Sequence, residues 1–135
     1  MQLMLDFMKT MFQMRSPWIL WLGALMAVNM AGPLFFIERL EAQVVLASAM
    51  VGAIIMLGIF ASKGYVRLLG IGHILWLPMV GWLVTRDALS MDTAYGLWLL
   101  AVAGMNTISL VIDFADVVRY FKGEREPWIS STRAL

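Results

Sequence analysis

The sequence contains no cysteine and a single histidine among its 135 residues. The lack of cysteine excludes disulfides, thiolate metal sites and redox-active dithiols. One histidine cannot supply a pair of imidazole ligands for haem or zinc. Ten basic and nine acidic side chains give a formal net charge of +1, so no basic excess is available to bind a nucleic acid. We therefore expect no metal, no cofactor and no nucleic-acid partner.

Charged residues are also scarce, at 14% of the chain against 61% hydrophobic residues, whereas soluble domains have about 25% and about 45–50%. Four apolar stretches, 17–37, 42–62, 68–85 and 94–112, approach the roughly 20 residues that cross about 30 Å of hydrocarbon. The links between them are short, so neighbouring spans must run antiparallel. The sequence predicts one all-α integral membrane domain, 1–135, folded as an antiparallel four-transmembrane-helix bundle.

Basic residues are divided unevenly between the two sides of the predicted bundle. Cytoplasmic loops carry an excess of Lys and Arg. The side with both termini has eight basic residues: Lys9, Arg15, Lys63, Arg67, Arg119, Lys122, Arg125 and Arg133. The other side has two, Arg39 and Arg86. The sequence therefore predicts a multi-pass protein with both termini in the cytoplasm.

Residues 1–15 have the pattern of an amphipathic helix. A polar stripe consists of Gln2, Asp6, Lys9 and Gln13, and apolar side chains cover the opposite side. We expect a helix at the membrane interface, whose apolar face contacts either lipid or the protein surface.

The other end of the chain has a helix-stop pattern. Basic residues precede Gly123, and Pro127 follows it. Span four is therefore expected to continue to about residue 122, beyond the membrane, and to be followed by a cytoplasmic tail at 123–135.

Polar residues within the spans are the candidate functional groups, because burying them in lipid is costly. Asn106, Ser109, Asp113 and Asp116 form one stripe on span four, at steps of three, four and three residues. The stripe fits an inward-facing polar cleft or partner face, and it also fits a helix that leaves lipid with solvated aspartates. His73 on span three lies at a matching depth, so a pair with Asp113 is geometrically allowed, and the sequence alone leaves open whether it forms. That histidine could relay protons or serve only in packing.

A second candidate polar site lies in the outer half of span one. Pro33 has no N–H to donate to the Asn29 carbonyl, so a bend is expected there. The freed carbonyl and the Asn29 amide could form an outer polar kink, or an adjacent helix could satisfy them.

Small residues recur at helical spacing on two spans, where they are typical of close helix packing. The predicted packing positions are Gly23, Ala27, Ala31, Ser48 and Gly52. Gly70 and Gly72 are expected to admit a neighbouring helix beside His73.

Two resemblances bear on function. In length and span count the chain is similar to the small multidrug transporters, but their first-span glutamate is missing here. The segments 33–36 (PLFF) and 70–73 (GIGH), with Trp76 and Pro78, resemble small four-span inner-membrane proteins of bacteria. This second resemblance covers most of the chain. It implies a location in the bacterial inner (cytoplasmic) membrane and no particular activity.

The function expected first is association with other membrane helices. No catalytic constellation occurs within the spans, and the loops are too short to form a substrate site, so we expect a non-enzymatic protein. It would be an accessory subunit of a membrane complex or a homo-oligomer, with the bilayer and a membrane protein or a second copy as partners. The alternative is a small-solute or proton-linked transporter or channel that uses the polar cleft on span four.

Overall fold

The computed structural model describes residues 1–126, and the regular structure in this range is entirely helical. The elements are α1 (Gln2–Phe12), α2 (Trp18–Phe35), α3 (Leu40–Lys63), a 3-10 segment (Arg67–His73), α4 (Trp76–Leu83) and α5 (Ala94–Phe121). Three of them, α2, α3 and α5, are long and apolar enough to cross a membrane. The all-helical class is thus confirmed, and the three helices suggest a membrane protein. Residues 127–135 of the predicted tail, with Pro127, lie outside the described residues.

The predicted third span, 68–85, differs from the expectation of one continuous helix. It consists of the 3-10 segment followed by the short helix α4. Pro78 has no N–H to donate to the Ile74 carbonyl, which accepts from the Leu77 N–H at 3.2 Å instead. The chain therefore keeps a tighter three-residue turn at the point where Pro78 predicts a bend.

Glycines bring the 3-10 segment close to its neighbours. A Cβ atom at Gly52 of α3 would lie 2.5 Å from the Gly72 carbonyl oxygen. A Cβ atom at Gly70 would lie 3.0 Å from Cβ of Asp113 on α5. The expected close approach at Gly70 and Gly72 is therefore confirmed, and Gly52 packs as predicted, with Ser48 half-buried one turn before it.

The predicted small-residue face of span one does not form a contact within the described chain. Its members Gly23, Ala27 and Ala31 are all exposed, and a Cβ atom at Gly23 would meet no described atom within 4 Å. The buried side of α2 is formed by Leu25, Asn29 and Pro33 instead. Each lies two positions later, about 200° around the helix, so the small residues point away from the core.

The helix α1 packs against the last turn of α3 and against the loop that follows it. The Phe7 ring lies 5.3 Å from that of Phe60 and 5.9 Å from that of Tyr65, between centroids. On the opposite, exposed side the Gln2 amide donates to the Asp6 carboxylate at 3.0 Å. The face of α1 that contacts the protein is formed by Phe7, Thr10 and Met11, whereas most of the predicted apolar side is exposed, including Met4 and Phe12.

The last helix ends where the sequence predicts. Gly123 has a φ of 114°, its N–H donates to the Tyr120 carbonyl, and the Glu124 N–H donates to the Arg119 carbonyl at 3.0 Å. This pair of bonds is the Schellman closure, which favours glycine at the left-handed position. The expected extension of this helix to about residue 122 is confirmed by its end at Phe121.

Two ends of the molecule can be distinguished by these contacts. At the α1 end lie α1, residues 64–67 and the last turns of α5. At the opposite end, called the loop end below, the starts of α3 and α5 meet the loop 84–93. The core between them is apolar, with Val45, Leu83 and Leu99 fully buried.

Candidate functional site

The predicted pair of His73 and Asp113 is present. The imidazole Nδ1 lies 2.7 Å from the carboxylate Oδ2, and the two side chains are 14% and 17% exposed. The Ser109 hydroxyl lies 3.5 Å from the same oxygen. Among residues 1–126 the other ring nitrogen, Nε2, makes no hydrogen bond. That nitrogen is therefore available to contact another molecule.

The second stripe aspartate is also partnered. Asp116 forms an ion pair with Arg67, whose Nε lies 3.4 Å from the Glu124 carboxylate. Arg119 donates to Glu124 as well, and this hydrogen bond holds the pKa of Glu124 below its usual range. Both stripe aspartates thus have partners within the chain, in contrast to the alternative in which they are simply solvated.

The first stripe residue joins the outer polar kink, which the sequence analysis treated as a separate site. Asn106 and Asn29 exchange two hydrogen bonds of 2.8 Å, each amide donating to the other's oxygen. Their exposed fractions are 0% and 2%. The Asn29 amide also donates to the Leu25 carbonyl at 3.0 Å. The pair therefore links α2 to α5 within the apolar core.

The bend at Pro33 has a different form from the one expected. Residues Ala27–Ala31 form a π-helical turn, in which each N–H bonds five residues back rather than four. In this register the carbonyl that Pro33 leaves free is that of Val28, not that of Asn29. The Trp98 indole N–H donates to the Val28 oxygen at 2.9 Å. A side chain of the adjacent helix α5 therefore provides the hydrogen bond that the free Val28 carbonyl needs.

A cavity of about 320 Å³ lies between α1, α2, α3, the 3-10 segment and α5. Its polar lining consists of Asn29, Arg67, His73, Ser109, Asp113 and Asp116. These include every member of the predicted cleft except Asn106, which instead bonds to Asn29. The predicted stripe thus forms one wall of an actual cavity.

The remaining lining is mainly apolar and rich in methionine. Its methionines are Met4, Met8, Met11, Met14, Met26, Met30 and Met56. Methionine is unbranched and flexible, so such a wall adapts to apolar molecules of different shape. The cavity therefore combines an adaptable apolar surface with a fixed polar one.

Trp76 also lines the cavity, although it was not among the predicted site residues. Its ring stacks on that of His73, with centroids 4.0 Å apart and planes at 14°. The residue is 4% exposed, and its Nε1 has no hydrogen-bond partner among residues 1–126. Position alone could not reveal this, because the missing partner is evident only from the packed structure.

Tyr65 closes the cavity towards the loop after α3. Its hydroxyl donates to the Met14 sulfur at 3.2 Å, and its ring contacts Phe7. Burial, with a smaller effect of the negative charge of Asp113, raises the pKa of Tyr65 to about 12. The phenol is therefore neutral at physiological pH and remains a hydrogen-bond donor.

A second polar cluster, at the loop end, was also missed. The buried carboxylate of Glu41 accepts from Arg86 at 2.9 Å and from the Tyr95 hydroxyl at 2.7 Å. Arg39 lies over the Tyr95 ring, 5.0 Å from its centroid. The sequence did hold one indication of this cluster, since it places Glu41, Arg86 and Tyr95 at the same predicted end of the spans. The cluster joins α3 to α5 and does not line the cavity.

The chain was compared with family models, with curated proteins and with solved structures. None of the three comparisons gives a match.

Proposed function

We propose that the protein is a non-enzymatic membrane protein that binds a small solute in this cavity and moves it in step with protonation of His73. It would then be a proton-linked transporter or channel. The observation that supports this is the position of the His73–Asp113 pair on the wall of a 320 Å³ cavity. Small-molecule sites of about 300–1,000 Å³ are usual in proteins.

The chemistry of the pair gives the proposed coupling. Imidazole is the side chain that ordinarily changes charge between pH 5 and 8. With His73 protonated, its charge balances that of Asp113, and Nε2 becomes a donor towards the cavity. After the proton leaves, Nε2 becomes an acceptor and the pair carries a net negative charge. A solute beside Nε2 would therefore be held differently in the two states.

The proposal includes four membrane crossings with both termini in the cytoplasm of a bacterial cell. The 3-10 segment (Arg67–His73) and α4 (Trp76–Leu83) rise about 14 Å and about 12 Å. Together they approach the thickness of the hydrocarbon, about 30 Å. The excess of basic residues at the α1 end supports the orientation. A reporter that functions only outside the cytoplasmic membrane should be active in the loop 84–93 and inactive at residue 135, and the reverse would refute this topology.

Association with other helices is a second proposal, favoured by the exposed face of Gly23, Ala27 and Ala31. Small exposed residues in a span let a second helix approach closely. The partner would be a second copy of the chain or a subunit of a membrane complex. Because the chain has no cysteine, Ala27→Cys introduces a unique cross-linking site. Gly104→Cys on α5, also exposed, is the matched control. Equal cross-linking at both positions would contradict a specific interface.

Proteoliposomes with a trapped pH-sensitive dye test the transport proposal. They are challenged with a panel of small amphiphiles that includes neutral aromatic ketones and organic cations. With the wild-type protein, we expect the addition of at least one solute to cause proton movement across the vesicle membrane. Asp113→Asn should abolish this movement because it removes the carboxylate that pairs with His73.

The matched control is Asp87→Asn, which changes an exposed carboxylate in the loop 84–93. It should retain the wild-type signal. Solute-dependent proton movement that is the same in Asp113→Asn as in the wild type would refute the role of the pair, and a panel without any signal would refute proton-linked transport of these solutes.

A further inference from the structure

The charged groups on the cavity wall are bonded to one another. Asp113 is bonded to His73, and Asp116 is paired with Arg67, which also lies 3.4 Å from Glu124. A cationic ligand would have to displace one of these partners, and an anionic ligand would meet two carboxylates. Breaking a partly buried pair leaves a charge uncompensated, which is costly. With His73 protonated, each of the two aspartates is balanced by a cation, and in this state the wall favours a neutral ligand.

One buried hydrogen-bonding group on this wall lacks a partner. Within residues 1–126 the Trp76 Nε1 is the only buried side-chain nitrogen or oxygen without a hydrogen bond. Buried donors are nearly always bonded, so each exception requires an explanation. Trp76 lines the cavity, and its stack on His73 fixes the ring. Because indole N–H is a donor only, the missing partner must be an acceptor.

The rest of the cavity is suited to an apolar molecule. Seven methionines line it, together with aromatic rings such as those of Trp18 and Trp21. Flexible thioethers and flat rings provide contact area without demanding a particular polar pattern. The ligand would thus need an apolar body and a single acceptor at the end near His73 and Trp76.

We propose that the cavity binds a neutral lipophilic molecule that carries a carbonyl-type acceptor, and that Trp76 Nε1 donates a hydrogen bond to this acceptor. When His73 is protonated, its Nε2 supplies a second donor beside the first. The inference rests on the proposed use of the cavity as a solute site, and it specifies the class of solute.

Photolabelling of the full-length protein in mild detergent tests the inference. The probe is tritium-labelled benzophenone, a neutral aromatic ketone that on irradiation inserts into nearby C–H bonds. Mass spectrometry should find the label on cavity residues such as Met26 and Met56. Unlabelled fluorenone and fluorene then compete for the site. They have the same rings, and fluorene has CH₂ where fluorenone has the carbonyl.

We expect fluorenone to compete about tenfold more strongly than fluorene, as one hydrogen bond between neutral groups allows. Trp76→Phe keeps an aromatic ring and removes the donor, so it should abolish this preference and leave competition by fluorene unchanged. Trp82→Phe is the matched control, since Trp82 lies at the loop end, against Arg86. Should Trp76→Phe not fold, equal competition by fluorenone and fluorene on the wild type still overturns the inference, and a preference for fluorenone that persists in His73→Phe assigns the donor to Trp76.

The outcomes separate this inference from the transport proposal. Equal competition by fluorenone and fluorene would overturn the acceptor, and stronger competition by tetraphenylphosphonium would overturn the neutral ligand; either leaves the cavity as a solute site. Label outside the cavity would overturn the inference as a whole. Ketone-selective labelling without solute-linked proton movement would support the inference and refute transport.

Discussion

Replacing Asn106 by leucine should destabilise the protein by more than the loss of its own two hydrogen bonds, because it also leaves its partner Asn29 partly unpaired. The change removes both hydrogen bonds of 2.8 Å between Asn106 and Asn29. It also leaves the Asn29 oxygen without a donor in a site that is 2% exposed. The Asn29 amide keeps its bond to the Leu25 carbonyl, so half of that side chain remains satisfied.

The magnitude follows from these contacts. Hydrogen bonds between helices within membranes contribute on average about 0.6 kcal/mol and up to about 1.7 kcal/mol each. Two of them amount to about 1–3 kcal/mol, and the unsatisfied Asn29 oxygen adds about 1 kcal/mol or more. We expect Asn106→Leu to lower the free energy of unfolding by about 2–4 kcal/mol. The double variant Asn29→Leu/Asn106→Leu should lose much less than the sum of the two single variants, because no buried amide remains unpaired.

The assay is unfolding in mixed micelles with increasing dodecyl sulfate, followed by circular dichroism of the helices. Thr107→Val is the control, since Thr107 is exposed and its hydroxyl bonds only to the Ala103 carbonyl of its own helix. It should change the free energy of unfolding by less than about 0.5 kcal/mol. Additive losses in the double variant would refute the coupling between the two asparagines.

Two further predictions concern packing and pH. Gly52→Ala should cost about 1–3 kcal/mol in the same assay, because its Cβ would lie 2.5 Å from the backbone oxygen of Gly72. Gly58→Ala on the same helix meets no described atom within 4 Å and should gain about 0.5–1 kcal/mol, so equal effects would contradict the contact. The folded protein holds the Tyr65 proton up to about pH 12, whereas an unfolded chain releases it near pH 10; the resulting stabilisation is present below pH 10 and is lost as the pH rises to about 12. Tyr65→Phe should flatten the dependence of the free energy of unfolding on pH between about 10 and 12. An unchanged slope in this variant would refute the assignment of this pH dependence to Tyr65.

Much of the helical architecture could be predicted because lipid imposes simple rules on the sequence. Long apolar runs indicate where α2, α3 and α5 lie, and the amphipathic pattern of residues 1–15 indicates α1. Basic residues followed by Gly123 indicate where α5 ends. A pair of His73 with Asp113 was compatible with the sequence, since two polar groups at the same depth on adjacent spans lower each other's cost, but only the packed structure shows that it forms. These predictions depend on composition and depth, which are properties of single segments.

What could not be predicted depends on the register between segments. The sequence places Asn29 and Asn106 each within a span, but which sides of α2 and α5 face each other is evident only from the packed structure. The same holds for Gly23, which lies on the exposed side of α2. Pro78 indicates a bend before α4, but the close approach of Gly72 to Gly52 is a contact between helices. Neither helix contact leaves a periodic signal.

The cluster around Glu41 also affects the conformational entropy of the loop 84–93. Arg86 near the start of this loop and Tyr95 just after its end bind the same carboxylate. That one side chain therefore fixes both ends of the loop, and Ala88 and Leu89 between them pack against the core. Because closure entropy grows only with the logarithm of loop length, doubling the loop would cost only about 0.6 kcal/mol. Natural variation in the length of this loop is therefore compatible with the fold, provided that Glu41 keeps its two partners.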